Sequence, residues 1–261
     1  MPITEPNYRT HQFSKASKTY DSASTLQLGM AKKLMALLPP SLEFNRVLEM
    51  GCGTGHLTSL LLQKKIETVF ITDASPSMLS VCEKKISSLK KEDTQLKLLT
   101  LDAQKSFPIK SLDLICSNAL VQWVEDMKTH VLHIKNGLKT GGLYLFSGFA
   151  KDNFVELNTL LSQQPFSITE TPGHPLEAVC QVLGDTDFQI IHQSQETKVE
   201  VYPHTKAFLK SLKAVGATGN NKANMTLGKL RLLCERYDKV AQVEGGVKVT
   251  WRPWFILAKK V

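Results

Sequence analysis

Short apolar runs alternate with amphipathic stretches through the first 150 residues or so of this chain. Val47 and Leu48 lead into Glu49, and residues 68–72 (TVFIT), 96–101 (LKLLTL), 112–117 (LDLICS) and 143–148 (LYLFSG) are brief and leucine-rich or β-branched. Each reads as a buried strand. Between them the apolar spacing lengthens to a helical period. Ser75–Pro76 opens a helix with Met78, Leu79 and Cys82 on one face, since proline suits the first helical turn. A second helix covers about 126–138 and stops at 139–142 (KTGG), a glycine-rich C-terminal signal. Strands alternating with helices at this spacing predict an α/β chain with right-handed crossovers and a parallel sheet.

The last third follows another pattern. Residues 188–191 and 198–202 carry strand-type residues, and 247–258 (VKVTWRPWFILA) reads as a closing strand in which Pro253 marks a bulge or an edge. Between them lie two helical patterns, near 205–215 and 226–242, joined by the turn-rich segment 216–224 (GATGNNKAN). This lysine-rich region predicts a helical cap inserted before the last strand, not an independent domain.

The chemistry sits at the ends of the predicted strands. Glu49 is followed by three glycines at alternate positions, Gly51, Gly53 and Gly55, and then a helix. Such a turn lets backbone approach a ligand closely. A phosphate-gripping loop of the Walker type would need a lysine that is absent here, and the third glycine comes one residue too early for a dinucleotide fingerprint. Glu49 would also repel a polyphosphate, so a cationic or zwitterionic ligand is expected. Asp73 ends the second strand 22 residues after Gly51, where one carboxylate can accept both hydroxyls of a ribose. Asp102–Ala103 follows the third strand and Asn118 the fourth, which brings all these groups to one rim of the sheet.

Composition narrows the field. Apolar residues make up 42% of 261, enough for a substantial core, and no apolar run approaches the length of a membrane span. The first residues lack an apolar stretch, so no secretory signal is expected, and the five cysteines are scattered without CxxC spacing. Reduced thiols in a cytoplasmic protein are expected, with no metal site. The net charge of +8 comes from lysines spread along the chain, without any nucleic-acid module, so an acidic protein partner is expected rather than nucleic acid or membrane.

The E-x-G-x-G-x-G segment resembles motif I of the S-adenosylmethionine-dependent methyltransferases. Four further stretches resemble the malonyl-acyl carrier protein O-methyltransferases of biotin synthesis: FSKASKTYDSASTLQLGMAKKLMALL near the N-terminus, SNALVQW (117–123), GGLYLFSGF (141–149) with Glu156 and Leu157 after it, and FLKSLKAVGAT (208–218). The similarity runs from about residue 13 to 259. It implies a Rossmann-like class I methyltransferase fold: a seven-stranded, mostly parallel sheet with helices on both faces. It implies one domain over 1–261, with a helical segment (1–40) over the active site, a cofactor-binding core (41–202), the cap (203–246) and the closing strand (247–261).

The same resemblance implies methyl transfer from S-adenosylmethionine to the free carboxylate of malonyl-acyl carrier protein by a monomer, giving the ester that primes pimeloyl synthesis. Another small acid or a quinone precursor is the alternative acceptor, and an inactive binding protein of the same fold is a third reading. The expected cofactor set is Glu49, Gly51, Cys52, Gly53 and Gly55 on the first turn, Asp73, Ala74 and Met78 after the second strand, and Asp102, Ala103 and Asn118 beyond. Tyr20, Gln122 and Trp123 are expected to close over the methyl group and line the acceptor pocket. Lys206, Lys210 and Lys213 share a helix face at i, i+4 and i+7, which suits docking of an acidic carrier protein. The family carries an arginine where this chain reads TPGHP (171–175), leaving His174, Lys151 or Arg252 as candidates to read the substrate carboxylate.

Overall fold

The computed structural model describes residues 8–163, 165–166, 172–217 and 225–261. It opens with three helices, α1 (Tyr8–Ala16), α2 (Tyr20–Ala23) and α3 (Thr25–Ala36). Then β1 (Phe44–Met50), α4 (His56–Leu61), β2 (Ile66–Asp73), α5 (Pro76–Ile86), β3 (Gln95–Thr100) and β4 (Leu112–Ser117) follow in strict order. A 3₁₀ turn at Val121–Trp123 precedes α6 (Met127–Gly137) and β5 (Leu138–Phe149). Next come α7 (Val155–Leu161), α8 (Leu176–Gly184), β6 (Phe188–Gln195), β7 (Lys198–Tyr202), α9 (Thr205–Ala214) and α10 (Leu227–Val240). The chain closes with β8 (Gln242–Val243), β9 (Gly246–Trp251) and β10 (Pro253–Lys260).

The main sheet has seven strands in the order β3-β2-β1-β4-β5-β10-β6. Strands β1 to β5 run parallel, and β10 runs antiparallel to both of its neighbours. β1 and β4 are buried along nearly their whole length, as helices on both faces require. Chain order reverses between β1 and β4, so the crevice beyond their carboxyl ends is where a ligand fits.

Local signals explain the helix starts. Ser75 caps α5 by accepting from the Met78 amide, with Pro76 in the first turn, and Asp126 caps α6 by accepting from the Thr129 amide. Each such cap satisfies a donor that the helix leaves open, worth about 1 kcal/mol. Alternate residues of each strand feed two apolar layers. Val47, Val69, Leu114 and Leu145 join Leu26, Met30 and Leu34 of α3 on one face. Leu48, Phe70, Ile115 and Phe146 join Val131 and Ile134 of α6 and Trp254 on the other.

The closing strand differs from expectation. Residues 247–258 form two strands, not one. β9 pairs with β7 and β8 in a separate three-stranded antiparallel sheet, and only β10 enters the main sheet. Pro253 explains the break: it has no amide to donate, and it begins a central strand instead of lying on an edge. At the corner, the Arg252 carbonyl accepts from the Ala150 amide and its own amide donates to Asn153 Oδ1. The region inserted before β10 therefore contains a small sheet as well as α9 and α10. Its Phe208, Tyr237 and Trp251 pack into the same apolar layer as α3 and α4. Likewise, residues 138–142 belong to β5, with Gly141 at φ +78° and the β4 register shifting alongside.

Candidate functional site

β1 delivers Glu49 to the sheet rim, and the chain turns back on three glycines with positive φ, at +67°, +54° and +92°. Gly51 has a second reason to lack a side chain, because a Cβ there would lie 2.8 Å from Leu120 Cδ1. At Gly53 a Cβ would meet nothing within 4 Å, so the loop presents bare backbone to open space. Asp73 holds this loop from the end of β2. Its Oδ2 accepts from the Gly53 amide at 2.9 Å and its Oδ1 from the Ser75 amide at 2.8 Å. Burial raises the Asp73 pKa, and those two amide bonds act against the rise.

Beyond β4, Asn118 is held by both ends of its amide. Its Oδ1 accepts from Ser147 Oγ (2.9 Å), and its Nδ2 donates to the Gln27 carbonyl (2.9 Å). Ala119 follows at φ +51°, a strained backbone for alanine, pinned by its amide donating to Ser147 Oγ. After β3, the Asp102 carboxylate accepts from the Gln104 amide, which shapes the turn. Buried His130 fixes the same loop: Nδ1 donates to the Ala103 carbonyl (2.9 Å) and Nε2 accepts from Tyr144 Oη (3.0 Å). Burial keeps that imidazole neutral, with its pKa down to about 4.

α1 closes the mouth. Ser14 Oγ lies 2.8 Å from Ser75 Oγ, Phe13 meets the Trp123 ring edge-on at 5.6 Å, and Arg9 donates to the Trp123 carbonyl at 2.7 Å. α2 is tied to the glycine turn through Asp21, which accepts from Thr54 Oγ1 and pairs with Lys85 at 2.7 Å. Burial disfavours the Asp21 charge, but the bonds from Lys85 and Thr54 outweigh it and leave the pKa below the ordinary value.

These elements enclose a cavity of about 830 Å³ counted out to its open mouth. Gly51, Gly53, Asp73, Ala74, Met78, Asp102, Ala103, Asn118, Tyr20 and Trp123 all line it. Polar groups of four strand ends converge there, as the α/β crossover rule requires.

A family model described as a methyltransferase domain matches residues 48–146. A malonyl-acyl-carrier-protein O-methyltransferase of Ilyobacter polytropus is 36% identical over 231 residues, covering 87% of this chain and 87% of the relative. The chain belongs to the malonyl-acyl-carrier-protein O-methyltransferase family. A relative of the same description from Priestia megaterium is 30% identical over 261 residues, covering 92% of each chain. In fold, the chain is similar to the crystal structure of a putative methyltransferase from Bacillus halodurans, with a TM-score of 0.65 at 18% identity, covering 88% of this chain and 98% of that one.

S-adenosylmethionine is the cofactor of this methyltransferase, and the residues fit it. Glu49 lies behind the glycine turn, 1% exposed, with one carboxylate oxygen (Oε2) buried and unpartnered. Burial, then the neighbouring Cys82 and Asp73, push its pKa up to about 8 against a hydrogen bond from Thr58. A buried acid short of a partner is what an α-ammonium group satisfies. Asp73 uses one lone pair of each oxygen on the loop amides, which leaves acceptor capacity for a ribose diol.

Some expected site residues stand outside the cavity wall. Glu49 and Cys52 lie beneath the turn, with the Cys52 thiol turned to the Gly53 carbonyl, and Gly55 caps α4 against Cys82. Gln122 is buried with Nε2 donating to the Ala119 carbonyl, so it braces the loop from behind while Trp123 faces the cavity. Among the candidate cations, His174 is bound to the Val124 carbonyl (2.9 Å) and Arg252 pairs with Asp152 (2.7 Å). Neither of them, nor Lys151, lines the cavity. Arg9 does, paired at the rim with Glu125 at 3.2 Å, and among the described lining residues it is the one cation. Sequence reasoning missed it because α1 carries no motif before Phe13. Lys206, Lys210 and Lys213 are exposed on one face of α9, whose opposite face buries Phe208. Lys222, expected in the same basic region, lies outside the described residues.

Proposed function

We propose that this enzyme transfers a methyl group from S-adenosylmethionine to the free carboxylate of a malonyl thioester on acyl carrier protein, priming pimeloyl synthesis. The names carried by its relatives support that substrate, and so does the single cation, Arg9, in a wall otherwise built of neutral and acidic side chains. That cation is the observation that carries the reading, because a malonyl carboxylate needs one and a phenolic acceptor does not.

When bound, S-adenosylmethionine supplies an electrophilic methyl carbon on a sulfonium. The protein then needs no general base, because a carboxyl with an ordinary pKa near 4 is already ionised at neutral pH. Its work is to align the acceptor oxygen and to exclude water, which orientation and desolvation reward with several kcal/mol. Phe13, Trp123 and Tyr20 supply the water-excluding surface over the pocket. The Tyr20 hydroxyl stays neutral, its pKa pushed up by burial and then by Asp73 and Asp21, so it remains a donor. Arg9 attracts the carboxylate, and its bonds to the Trp123 carbonyl and to the exposed Glu125 carboxylate fix where the guanidinium sits. Glu49, the glycine turn, Asp73 and the Asp102–Asn118 side of the pocket hold the cofactor in this reading.

The basic face of α9 receives the acidic carrier protein, and we place the enzyme in the cytoplasm as a monomer. Five unpaired cysteines favour a reducing compartment. Among the described residues, no helix is long and apolar enough to cross a membrane. A panel of carrier protein loaded with malonyl, acetyl or malonyl methyl ester groups tests the reading. Methyl transfer only to the free malonyl acid is expected, and transfer to none of them, with cofactor bound, refutes it.

A further inference from the structure

A second cavity lies between the N-terminal helices and the inserted region, about 640 Å³ counted out to its mouth. Its wall includes Ser22 and Gln27 from α2 and α3, Glu200 and Tyr202 from β7, Ser211 from α9, and Trp251 from β9. Two of these side chains are more than nine-tenths buried and carry a polar atom without a hydrogen-bond partner: Gln27 Oε1, an acceptor, and Trp251 Nε1, a donor. Buried polar groups are nearly always paired, so both mark a missing partner. An acceptor and a donor among the residues lining one cavity suit a chain of amides, which offers N–H groups for Gln27 and C=O groups for Trp251.

The remaining polar groups of the wall restrict what enters. Tyr202 Oη donates to Glu200 Oε2 at 3.0 Å, and Ser211 Oγ donates to Tyr202 Oη at 3.4 Å. Glu200 also pairs with Lys198 at 3.3 Å, outside the cavity. A carboxylate in the wall disfavours an anion and tolerates a neutral, hydrogen-bonding chain. The cavity's place completes the argument. The Gln27 carbonyl holds Asn118, which lines the cofactor pocket, so Gln27 belongs to the partition between the two cavities. On the other side, Ser211 and Leu212 line the cavity from the α9 face opposite the exposed lysines.

We infer that this second cavity takes the amide-bearing pantetheine arm of the acceptor thioester, with Gln27 and Trp251 pairing its amide groups. The inference rests on the carrier-protein reading above, and the cavity lies between the helix that carries the lysines and the partition beside the cofactor pocket. The arm is neutral along its amides, and its charged phosphate end would remain outside with the lysines.

The test is titration of malonyl-free pantetheine into ¹⁵N-labelled full-length protein while the indole N–H resonances are followed. Trp251→Phe assigns the Trp251 signal by its loss. A shift of that signal is expected, with the apparent Kd raised about tenfold in Gln27→Leu, the worth of one buried hydrogen bond. Gln27→Met serves as a second variant if Gln27→Leu misfolds. No shift across the titration, or a shift confined to the Trp123 indole, overturns the inference. In kinetics, Gln27→Leu should reduce the preference for a pantetheine thioester over a thioester without amides by about tenfold. An unchanged preference is equally contrary. The titration needs no methyl transfer, so a Trp251 shift in a protein that fails to methylate malonyl-acyl carrier protein upholds the arm site and removes the malonyl reading. Transfer without the shift does the reverse.

Discussion

Replacing Glu49 by Gln probes the link between a buried acid and a cationic ligand. Glu49 is 1% exposed, and its pKa is pushed up to about 8. At pH 7 most of the unliganded protein therefore holds it as the neutral acid, and ionising it costs about 1 kcal/mol. An α-ammonium partner favours the carboxylate, so cofactor binding at pH 7 should release close to one proton. The sign follows: the free protein binds more protons than the complex. Affinity should therefore rise nearly tenfold per pH unit below about 8 and then level off. Above that, the ammonium of the cofactor itself deprotonates, since α-amino groups titrate near 8, and affinity should fall.

Glu49→Gln should bind more weakly, release no proton and show no such rise. It should also stabilise the unliganded fold at pH 7. A carboxyl with a raised folded pKa is most favourable to stability below its unfolded value, and that contribution is lost as pH climbs through the folded value. Between an ordinary carboxyl pKa and neutrality the loss amounts to about 3 kcal/mol. Calorimetry in two buffers of different ionisation heat measures the proton count, and denaturation without cofactor measures the stability. Equal proton release by both proteins, or none by the wild type, would refute the assignment of Glu49 to the ammonium.

Asp73→Ala strips acceptors from the Gly53 and Ser75 amides, so it should cost about 2 kcal/mol of stability in denaturant titrations and weaken cofactor binding at least tenfold. A loss of stability with unchanged affinity would confine Asp73 to shaping the loop. Arg9→Gln should raise KM for the malonyl thioester about tenfold or more, with Arg9→Lys recovering part of the loss because the charge survives without the planar fork. Cofactor affinity measured in parallel decides the role: an equal loss there would make Arg9 a latch for α1. Lys206→Glu with Lys210→Glu should raise KM for the carrier-bound substrate and not for a small thioester, and added salt should shrink the difference. Equal effects on both substrates would remove α9 as the docking face.

The parts of the site that lie on strand ends were legible in the sequence, because hydrophobic period locates a strand and the crossover rule says which end faces the ligand. Glu49, Asp73, Asp102 and Asn118 follow from that rule, and Gly51 and Gly53 from their need for positive φ. What escaped depends on contacts distant in sequence. Arg9 matters through Trp123, 114 residues away, and no local pattern announces that pairing. Gln27 and Trp251 belong to one wall only because β9 leaves the main sheet, and 247–258 looks like one strand until the missing amide of Pro253 is weighed against two competing sheets. Gln122 shows the opposite error. Adjacency to Trp123 suggested a shared role, but a 3₁₀ turn points the two side chains in different directions, one to the Ala119 carbonyl and one to the cavity.

The most direct test of the central claim is intact-mass analysis of malonyl-acyl carrier protein incubated with this enzyme and S-adenosylmethionine. The account predicts a gain of one CH₂ that a carboxylesterase selective for oxygen esters removes, with the Arg9→Gln enzyme far slower at low substrate. An unchanged carrier mass, while calorimetry shows the cofactor bound, would contradict it.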